Sequence, residues 1–269
     1  MLIGLQGKIF ALQEELFKQT ATKSVTLLKK IMSQLEGKNV YIAGGGGNVG
    51  EGIVRGCLKA GARVVTSSRS SDKLDRLREL LKDTPTDKLT TIEGGLGDFD
   101  SAETLKDKIL DKCDRLDAVV ASLGGTWHKN VPLTEVSMDD WQKFLFTNLT
   151  THFVTARTFL PVLAQTKGSS YTFLGGSAAE IAIPNYSVVA IPAAGQLMMA
   201  KVVMQEMKDS RVRINEVVVN SLVNTRDSQN RAKPDWITAD EIGDYIAWLA
   251  SDEGKVVNGT VPYLQKVTS

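Results

Sequence analysis

A tract of glycines near residue 45 offers the clearest site for chemistry in the sequence. Gly44, Gly47 and Gly50 are spaced at intervals of three residues. Asn48 and Val49 lie between the last two and begin a helical pattern, while a short apolar run precedes the tract. A strand, a glycine turn and a helix together can bind an anion, because glycine lets the backbone approach a phosphate and the helix start offers free N–H groups. We expect a dinucleotide pyrophosphate here; a purely structural turn is the alternative.

Basic and hydroxyl side chains follow the next apolar run. Arg69 stands beside Ser68, and Ser67 and Ser70 flank the pair. An acidic residue at this point would hydrogen-bond the ribose 2′-hydroxyl of NAD, whereas a guanidinium suits a 2′-phosphate. The residues therefore favour NADP(H) over NAD(H) as cofactor. A solvated loop arginine is the alternative, and then no cofactor need be bound.

Strands and helices alternate from residue 39 onward, which is typical of a parallel sheet with helices on both faces. Strands are predicted at residues 39–43, 63–67, 89–93, 117–121, 170–174, 213–219 and 259–264. Helices are predicted at residues 48–59, 71–82, 101–112, 138–165, 186–208 and 239–251. The sequence thus predicts an α/β fold, a Rossmann-type doubly wound sheet, with ligands beyond the carboxyl ends of its strands.

Residues 1–38 are predicted to be an N-terminal helical extension of a single domain at residues 39–269. Leucine and isoleucine recur there at helical spacing, and Ser24 is a candidate cap for a second helix. Such an apolar stripe must be buried, either on its own domain or against another subunit, and the sequence leaves both open.

Composition argues against several classes of function. A formal net charge of +1 over 269 residues gives no electrostatic case for nucleic acid or a membrane surface. We expect no membrane span, which needs roughly 20 apolar residues, and no signal peptide. Cys57 and Cys113 are expected to be buried, reduced thiols, which favours a reducing, cytoplasmic compartment. Two histidines and two separated cysteines support no metal site.

From about residue 37 to 264, these segments resemble the short-chain dehydrogenase/reductase family. Residues 43–50 resemble its glycine-rich turn, with Ala43 in place of a threonine and Asn48 in place of a glycine. The resemblance implies a nicotinamide dinucleotide cofactor, oxidoreductase ancestry and, if the protein is active, a carbonyl or alcohol substrate. It also implies a homodimer or homotetramer built through the two longest predicted helices.

The resemblance assigns roles to further residues. Asp98 matches the residue that contacts adenine, with Leu96 as a second possible alignment. Gly124 keeps the glycine that follows the fourth strand, and Asn148 holds the place of the catalytic asparagine. Thr225 keeps the place of a threonine that would touch the nicotinamide amide or a phosphate.

The chain departs from the family where proton transfer takes place. Members use a serine and, further along, Tyr-x-x-x-Lys, in which the tyrosine is the general acid or base. Here Val188 falls at the tyrosine position and Pro192 at the lysine position, and neither side chain can transfer a proton. The serine position falls on Gly175 or Gly176.

Other residues are candidates to replace the lost groups. Tyr186 lies two residues before the tyrosine position, and Ser177 directly follows the two glycines at the serine position. His128 follows the fourth strand, and a histidine titrates near neutrality. His152 is expected to be structural. The polar link at residues 226–234 replaces the family's long substrate lid, and a short lid excludes water poorly.

Three functions follow from these observations. The first is an NADP(H)-binding protein that lacks the usual tyrosine-driven hydride transfer, with a binding or regulatory role or rerouted chemistry. The second is an NADP(H)-dependent carbonyl reductase or alcohol dehydrogenase whose acid is Tyr186 or His128. The third is a structural subunit whose cofactor site is vestigial.

Overall fold

The structure, a computed structural model, describes residues 34–125 and 129–266 of the chain. Its strands in that part of the chain are β1 (Asn39–Ala43), β2 (Arg63–Ser68), β3 (Leu89–Glu93), β4 (Ala118–Ala121), β5 (Ser170–Gly176), β6 (Arg213–Val219), β7 (Val223–Asn224), β8 (Ile237–Thr238) and β9 (Tyr263–Leu264). Seven of them form one sheet in the order β3-β2-β1-β4-β5-β6-β9. All pairs in it are parallel.

Helices cover both faces of this sheet. They are α1 (Asn48–Lys59), α2 (Ser71–Leu80), α3 (Phe99–Leu110), α4 (Met138–Leu145), α5 (Thr151–Leu163), α6 (Ser187–Glu206) and α7 (Ala239–Ala250). Apolar side chains of α1, α2 and α7 form one buried layer, and those of α3, α5 and α6 form the other. The predicted Rossmann-type α/β fold is therefore confirmed.

Capping side chains fix where several helices begin. Asp98 caps α3 by accepting the backbone N–H of Ser101 over 2.8 Å, and Thr238 and Glu241 form a capping box at the start of α7. Caps of this kind stabilise a helix by about 1 kcal/mol. Gly47 begins α1 without a side-chain cap, so the first N–H groups of α1 remain for another acceptor.

The prediction of one continuous helix at residues 138–165 is wrong in one respect. A π-helical turn, Phe146–Thr150, separates α4 from α5. A π-turn holds an extra residue in the helical ladder and re-aims the side chains within it. The turn contains Asn148, which is buried.

Helix α6 corrects the expectation that no apolar run reaches the length of a membrane span. Its 20 residues have a mean hydropathy of 1.5, so length and composition alone would allow it to cross a bilayer. In the fold it packs on the sheet, and its Gln196 donates a hydrogen bond to the Leu174 carbonyl of β5 over 3.3 Å. About a third of its most apolar stretch is buried inside the protein.

The residues just before β1 pack on the domain. Leu35 is buried in the layer that contains α1, and its N–H donates to the carbonyl of Ala60 over 2.8 Å. Residues 1–33 lie outside the described part of the chain. The helical extension therefore stays a prediction.

Candidate functional site

A pocket of about 180 Å³ opens at the carboxyl ends of β1 to β4. β2 lies on one side of β1 and β4 on the other, so the strand order reverses here. Doubly wound sheets bind their ligands at such a switch point. The predicted cofactor residues that line the pocket are Gly44, Gly47, Ser68, Arg69, Leu96 and Gly124.

The glycine turn fits a group that comes close to the backbone. Gly44 has a φ of +84°, and a Cβ there would lie 2.1 Å from the carbonyl oxygen of Ser122. A Cβ at Gly50 would lie 2.1 Å from the carbonyl oxygen of Gly44. Larger residues would force these segments apart, whereas glycine lets the uncapped start of α1 face the pocket. The turn therefore suits a pyrophosphate held by backbone N–H groups.

Asn48 and Val49 follow the turn, but their side chains do not line the pocket. Asn48 Oδ1 accepts a 3.5 Å hydrogen bond from Arg76 at the surface. Val49 packs against the apolar layer of α1. Their contribution is to hold the first turn of α1 in place.

The opposite end of the pocket is basic. Ser68, Arg69 and Lys73 line it, and none of the described residues that line the pocket is acidic. The stem of Arg69 lies along Gly95, where a Cβ would be 3.3 Å from Arg69 Cγ. Two cations and a hydroxyl suit a phosphate monoester. Lys73 was not predicted, although its place in the first turn of the helix after Arg69 was the available signal.

The assignment of Asp98 to the adenine site stays a prediction, and the structure shows another role for this residue. Asp98 is the exposed cap of α3, and the N–H of Ser101 holds the pKa of its carboxyl below the usual range. Its carboxylate is thus used by the helix and does not line the pocket. Leu96, the second alignment, is buried and lines the pocket instead.

Asn148 lies beside Gly124 and Thr147, which line the pocket. Its Oδ1 accepts the backbone N–H of Gly125 over 2.7 Å. Gly124 has a φ of +141°, and a Cβ there would lie 2.8 Å from the same oxygen. Asn148 Nδ2 is buried without a partner among the described residues.

Comparisons with known proteins agree with this geometry. Residues 43–265 match the family described as enoyl-(acyl carrier protein) reductase. The chain belongs to the short-chain dehydrogenase/reductase family. Among curated proteins of this kind, 3β-hydroxysteroid dehydrogenase 1 of Eggerthella lenta is 25% identical over 254 residues, covering 86% of this chain and 93% of that protein. Acetoacetyl-CoA reductase of Cupriavidus necator is 24% identical over 239 residues, covering 81% and 93%.

Solved structures share the fold. A short-chain type dehydrogenase/reductase from Mycobacterium ulcerans superposes with a TM-score of 0.77 at 19% identity, covering 86% of this chain and 89% of that one. The structure of ElxO with NADP bound superposes with a TM-score of 0.76 at 20% identity, covering 84% and 96%. Identity this low shows the fold alone.

Apolar contacts surround Val188, the residue that the resemblance aligns with the family's tyrosine. Val188 is 1% exposed and packs with Phe144 in a small cluster that also contacts Trp141. Pro192, one helical turn further along α6, is buried as well. That these two residues stand at the family's tyrosine and lysine positions stays a prediction from the sequence resemblance.

The residues proposed to replace the family's tyrosine and serine have different surroundings. Tyr186 is the N-cap residue of α6 and packs half-buried against the Val188 cluster. Ser177 begins a 3₁₀ turn, and its carbonyl accepts the N–H of Ile181. His128 lies outside the described residues. Neither Tyr186 nor Ser177 lines the pocket.

Thr225 is committed to its own loop. It is buried, its N–H donates to Ser228 Oγ over 2.7 Å, and the two hydroxyls lie 3.1 Å apart. The neighbouring Arg226 pairs with both oxygens of Asp240 and with Glu51. The short link after β7 is therefore tied to α1 and α7, and Thr225 does not line the pocket.

Glu216 on β6 is a charged residue that sequence analysis missed. It is fully buried, and Gln196 donates to its Oε1 over 3.3 Å. A Cβ at Gly175 would lie 2.4 Å from this oxygen, so the carboxyl lies where a side chain at one of the two candidate serine positions would be. Burial raises the pKa of Glu216 to about 8, which Lys201 opposes. The available signal was one acidic residue within a predicted strand.

The remaining candidates are structural. Cys57 and Cys113 are buried free thiols, as predicted. His152 is buried, its Nε2 lies 3.2 Å from the Leu123 carbonyl, and burial lowers its pKa to about 4. Within residues 34–125 and 129–266, no cluster of His, Cys, Asp or Glu could hold a metal ion.

Proposed function

We propose that this protein binds NADP(H) in the pocket between the glycine turn and Arg69, and that it does so without tyrosine-driven hydride transfer. The basic end of the pocket supports NADP(H), since Arg69 and Lys73 lie where a 2′-phosphate would need them. A neighbour in fold, ElxO, has been solved with NADP bound. When bound, the cofactor supplies a hydride donor or acceptor. The chain's residues bind and orient it.

The observation that carries the second half of the proposal is the burial of Val188 and Pro192. Both are on the face of α6 that packs into the protein, and Val188 is enclosed by apolar side chains. An aliphatic side chain has no proton to transfer, and proline has neither a titratable group nor a cation. Without a proton-transferring group at these positions, the protein would have a binding or regulatory role.

Calorimetric titration with NADPH and NADH tests cofactor binding. We expect NADPH to bind more tightly, because only its 2′-phosphate meets Arg69 and Lys73. Binding of neither dinucleotide would contradict the proposal and would support a structural subunit with a vestigial site. Equal affinity for both would contradict the assignment of the basic end to the 2′-phosphate.

A carbonyl reductase or alcohol dehydrogenase with a substitute acid is the second candidate. The intact contact between Asn148 and Gly125 favours it, because the family uses this asparagine in catalysis. The acid would be Tyr186, at the start of α6, or His128. NADPH consumption over a panel of carbonyl compounds, abolished by Tyr186→Phe or His128→Ala, would establish this function.

We also propose that the protein assembles as a homodimer or homotetramer and works in the reducing cytoplasm. Large apolar side chains are exposed on α5 and α6, namely Phe153, Ile191, Met198 and Val202. A second copy would remove this surface from water. Light scattering after gel filtration measures the mass, and a monomer would contradict the assembly. The free thiols of Cys57 and Cys113 support the compartment, which fluorescence microscopy of the tagged chain tests.

A further inference from the structure

We propose that Glu216 makes this site discriminate between oxidised and reduced dinucleotide in a pH-dependent way. The inference rests on the proposed NADP(H) binding and assigns a regulatory property to that site. The nicotinamide ring is cationic in NADP⁺ and neutral in NADPH. A buried carboxylate nearby therefore attracts only the oxidised form, and a protonated carboxyl attracts neither.

The register of the sheet places Glu216 two strands away from β4, and the residues that follow β4 line the pocket. Ala121 on β4 is level with Phe173 on β5, which is level with Glu216 on β6. Neighbouring strands lie about 4.8 Å apart, so two strand spacings span roughly 10 Å. The side chain extends along the strands toward the carboxyl ends, because its Oε1 lies beside Gly175, two residues beyond Phe173.

Glycine at position 175 is what admits this carboxyl. An added Cβ would lie 2.4 Å from Glu216 Oε1, whereas a Cβ at Gly176 would meet nothing within 4 Å. The carboxyl thus fills the volume of a side chain at 175, directly beneath an open backbone position. This arrangement puts a titratable group at the end of β5, where the family carries a serine next to the reacting atoms.

Few groups compensate the charge of Glu216. Gln196 on α6 donates to Oε1, and Oε2 is buried without a hydrogen-bond partner among the described residues. The surrounding titratable groups are Tyr171 on β5, Lys201 on α6, Glu180 after β5 and Tyr263 on β9. Lys201 favours the ionised carboxyl and Glu180 the protonated one. An ionised Glu216 is therefore poorly neutralised, and its field extends toward the pocket.

The carboxyl of Glu216 changes its charge within the pH range in which binding can be measured. Burial raises its pKa to about 8, so it is protonated in mildly acidic solution and ionised in alkaline solution. Two unit charges roughly 10 Å apart, at an effective dielectric constant of about 20, change a binding constant about tenfold. By reciprocity, NADP⁺ would lower the pKa of Glu216 by about one unit.

The experiment compares the dissociation constants of NADP⁺ and NADPH at several pH values between 6.5 and 9.5, by calorimetry on the full chain. Both ligands carry the same adenosine, 2′-phosphate and pyrophosphate, so titration of those groups cancels in the ratio. We expect the affinity for NADP⁺ relative to NADPH to rise about tenfold across this range, with a midpoint near the pKa of Glu216.

Two variants locate the effect. In Glu216→Gln the ratio becomes independent of pH, because the amide does not ionise. In Glu180→Gln, which removes an exposed carboxylate that accepts a hydrogen bond from Tyr263, the pH dependence remains. If Glu216→Gln fails to fold, the wild-type ratio still decides, because a flat ratio overturns the inference. Binding of neither ligand would overturn the proposed function and the inference together, and binding with a flat ratio would overturn the inference alone.

Discussion

The side-chain oxygen of Asn148 and the backbone N–H of Gly125 form a 2.7 Å hydrogen bond that joins the π-helical turn to the end of β4. The contact depends on Gly124, where a side chain would press on the same oxygen. Asn148 therefore holds the loop after β4 against the helix that follows it. The chain neighbours of these two residues, Gly124 and Thr147, line the pocket.

Removing the amide of Asn148 should destabilise the fold. In Asn148→Ala the N–H of Gly125 loses its partner, which costs about 1–3 kcal/mol of unfolding free energy. Urea unfolding measures it. Thr147→Ala is the control, because the Thr147 hydroxyl donates to the Lys143 carbonyl one helical turn earlier and does not contact the loop after β4 through a hydrogen bond among the described residues. An equal loss of unfolding free energy in the two variants would show that the hydrogen bond between Asn148 and Gly125 does not stabilise the fold.

The basic end of the pocket should set cofactor preference. Arg69→Ala and Lys73→Ala should each weaken NADPH binding about 10–100-fold, as expected for a charge-assisted hydrogen bond to phosphate. Their effect on NADH should be much smaller. Arg78→Ala is the matched control, because Arg78 pairs with Asp75 at the exposed surface and does not line the pocket. Titration of each variant with both dinucleotides measures the effect, and parallel losses for NADPH and NADH would contradict the assignment.

The close contact between α1 and α7 should not tolerate a side chain. A Cβ at Gly243 would lie 2.0 Å from the Gly52 carbonyl oxygen. Gly243→Ala should therefore lower the unfolding free energy by about 1–3 kcal/mol, because the helices must move apart. Gly176→Ala, where the added Cβ meets open space, should stay near the wild-type value. Thermal unfolding measures both, and a stable Gly243→Ala would show that the helices separate easily.

Glu216 should make stability depend on pH. Its pKa is about 8 in the folded chain and 4.5 when unperturbed. As pH rises between these values the unfolded chain ionises and the folded chain does not, so the folded state loses about 1.4 kcal/mol per pH unit. Relative to the wild type, Glu216→Gln should therefore gain roughly 3 kcal/mol of unfolding free energy between pH 5 and pH 8. Urea unfolding at both pH values measures the gain, and parallel changes in variant and wild type would contradict the assigned pKa.

Most strands and helices could be predicted because their apolar patterns and glycine turns are local signals. β1, β6 and α1 begin and end where the sequence predicts. The π-turn around Asn148 could not be predicted, because no local residue type demands it. The length of the apolar run in α6 was underestimated from the sequence. Its 20 residues are long and apolar enough to cross a bilayer by length and composition alone.

Residues of the candidate site could be predicted where the backbone geometry requires glycine, as at Gly44 and Gly124. A residue was missed where a long side chain on one strand contacts the backbone of the neighbouring strand. Glu216 contacts Gln196 and meets Gly175 only through the pairing of β5 and β6, and no sequence spacing encodes that pairing. Asp98 shows a related difficulty, since one carboxylate suits a helix cap and a cofactor contact equally well.

The most direct test of the account is to add NADPH to the purified wild-type protein and follow binding and consumption in one experiment. Fluorescence of the reduced nicotinamide reports binding, and its absorbance reports oxidation after a panel of aldehydes and ketones is added. We predict saturable binding with no oxidation above the rate without protein. Rapid oxidation of NADPH that depends on the protein and on a carbonyl compound would contradict the central claim, as would the absence of binding.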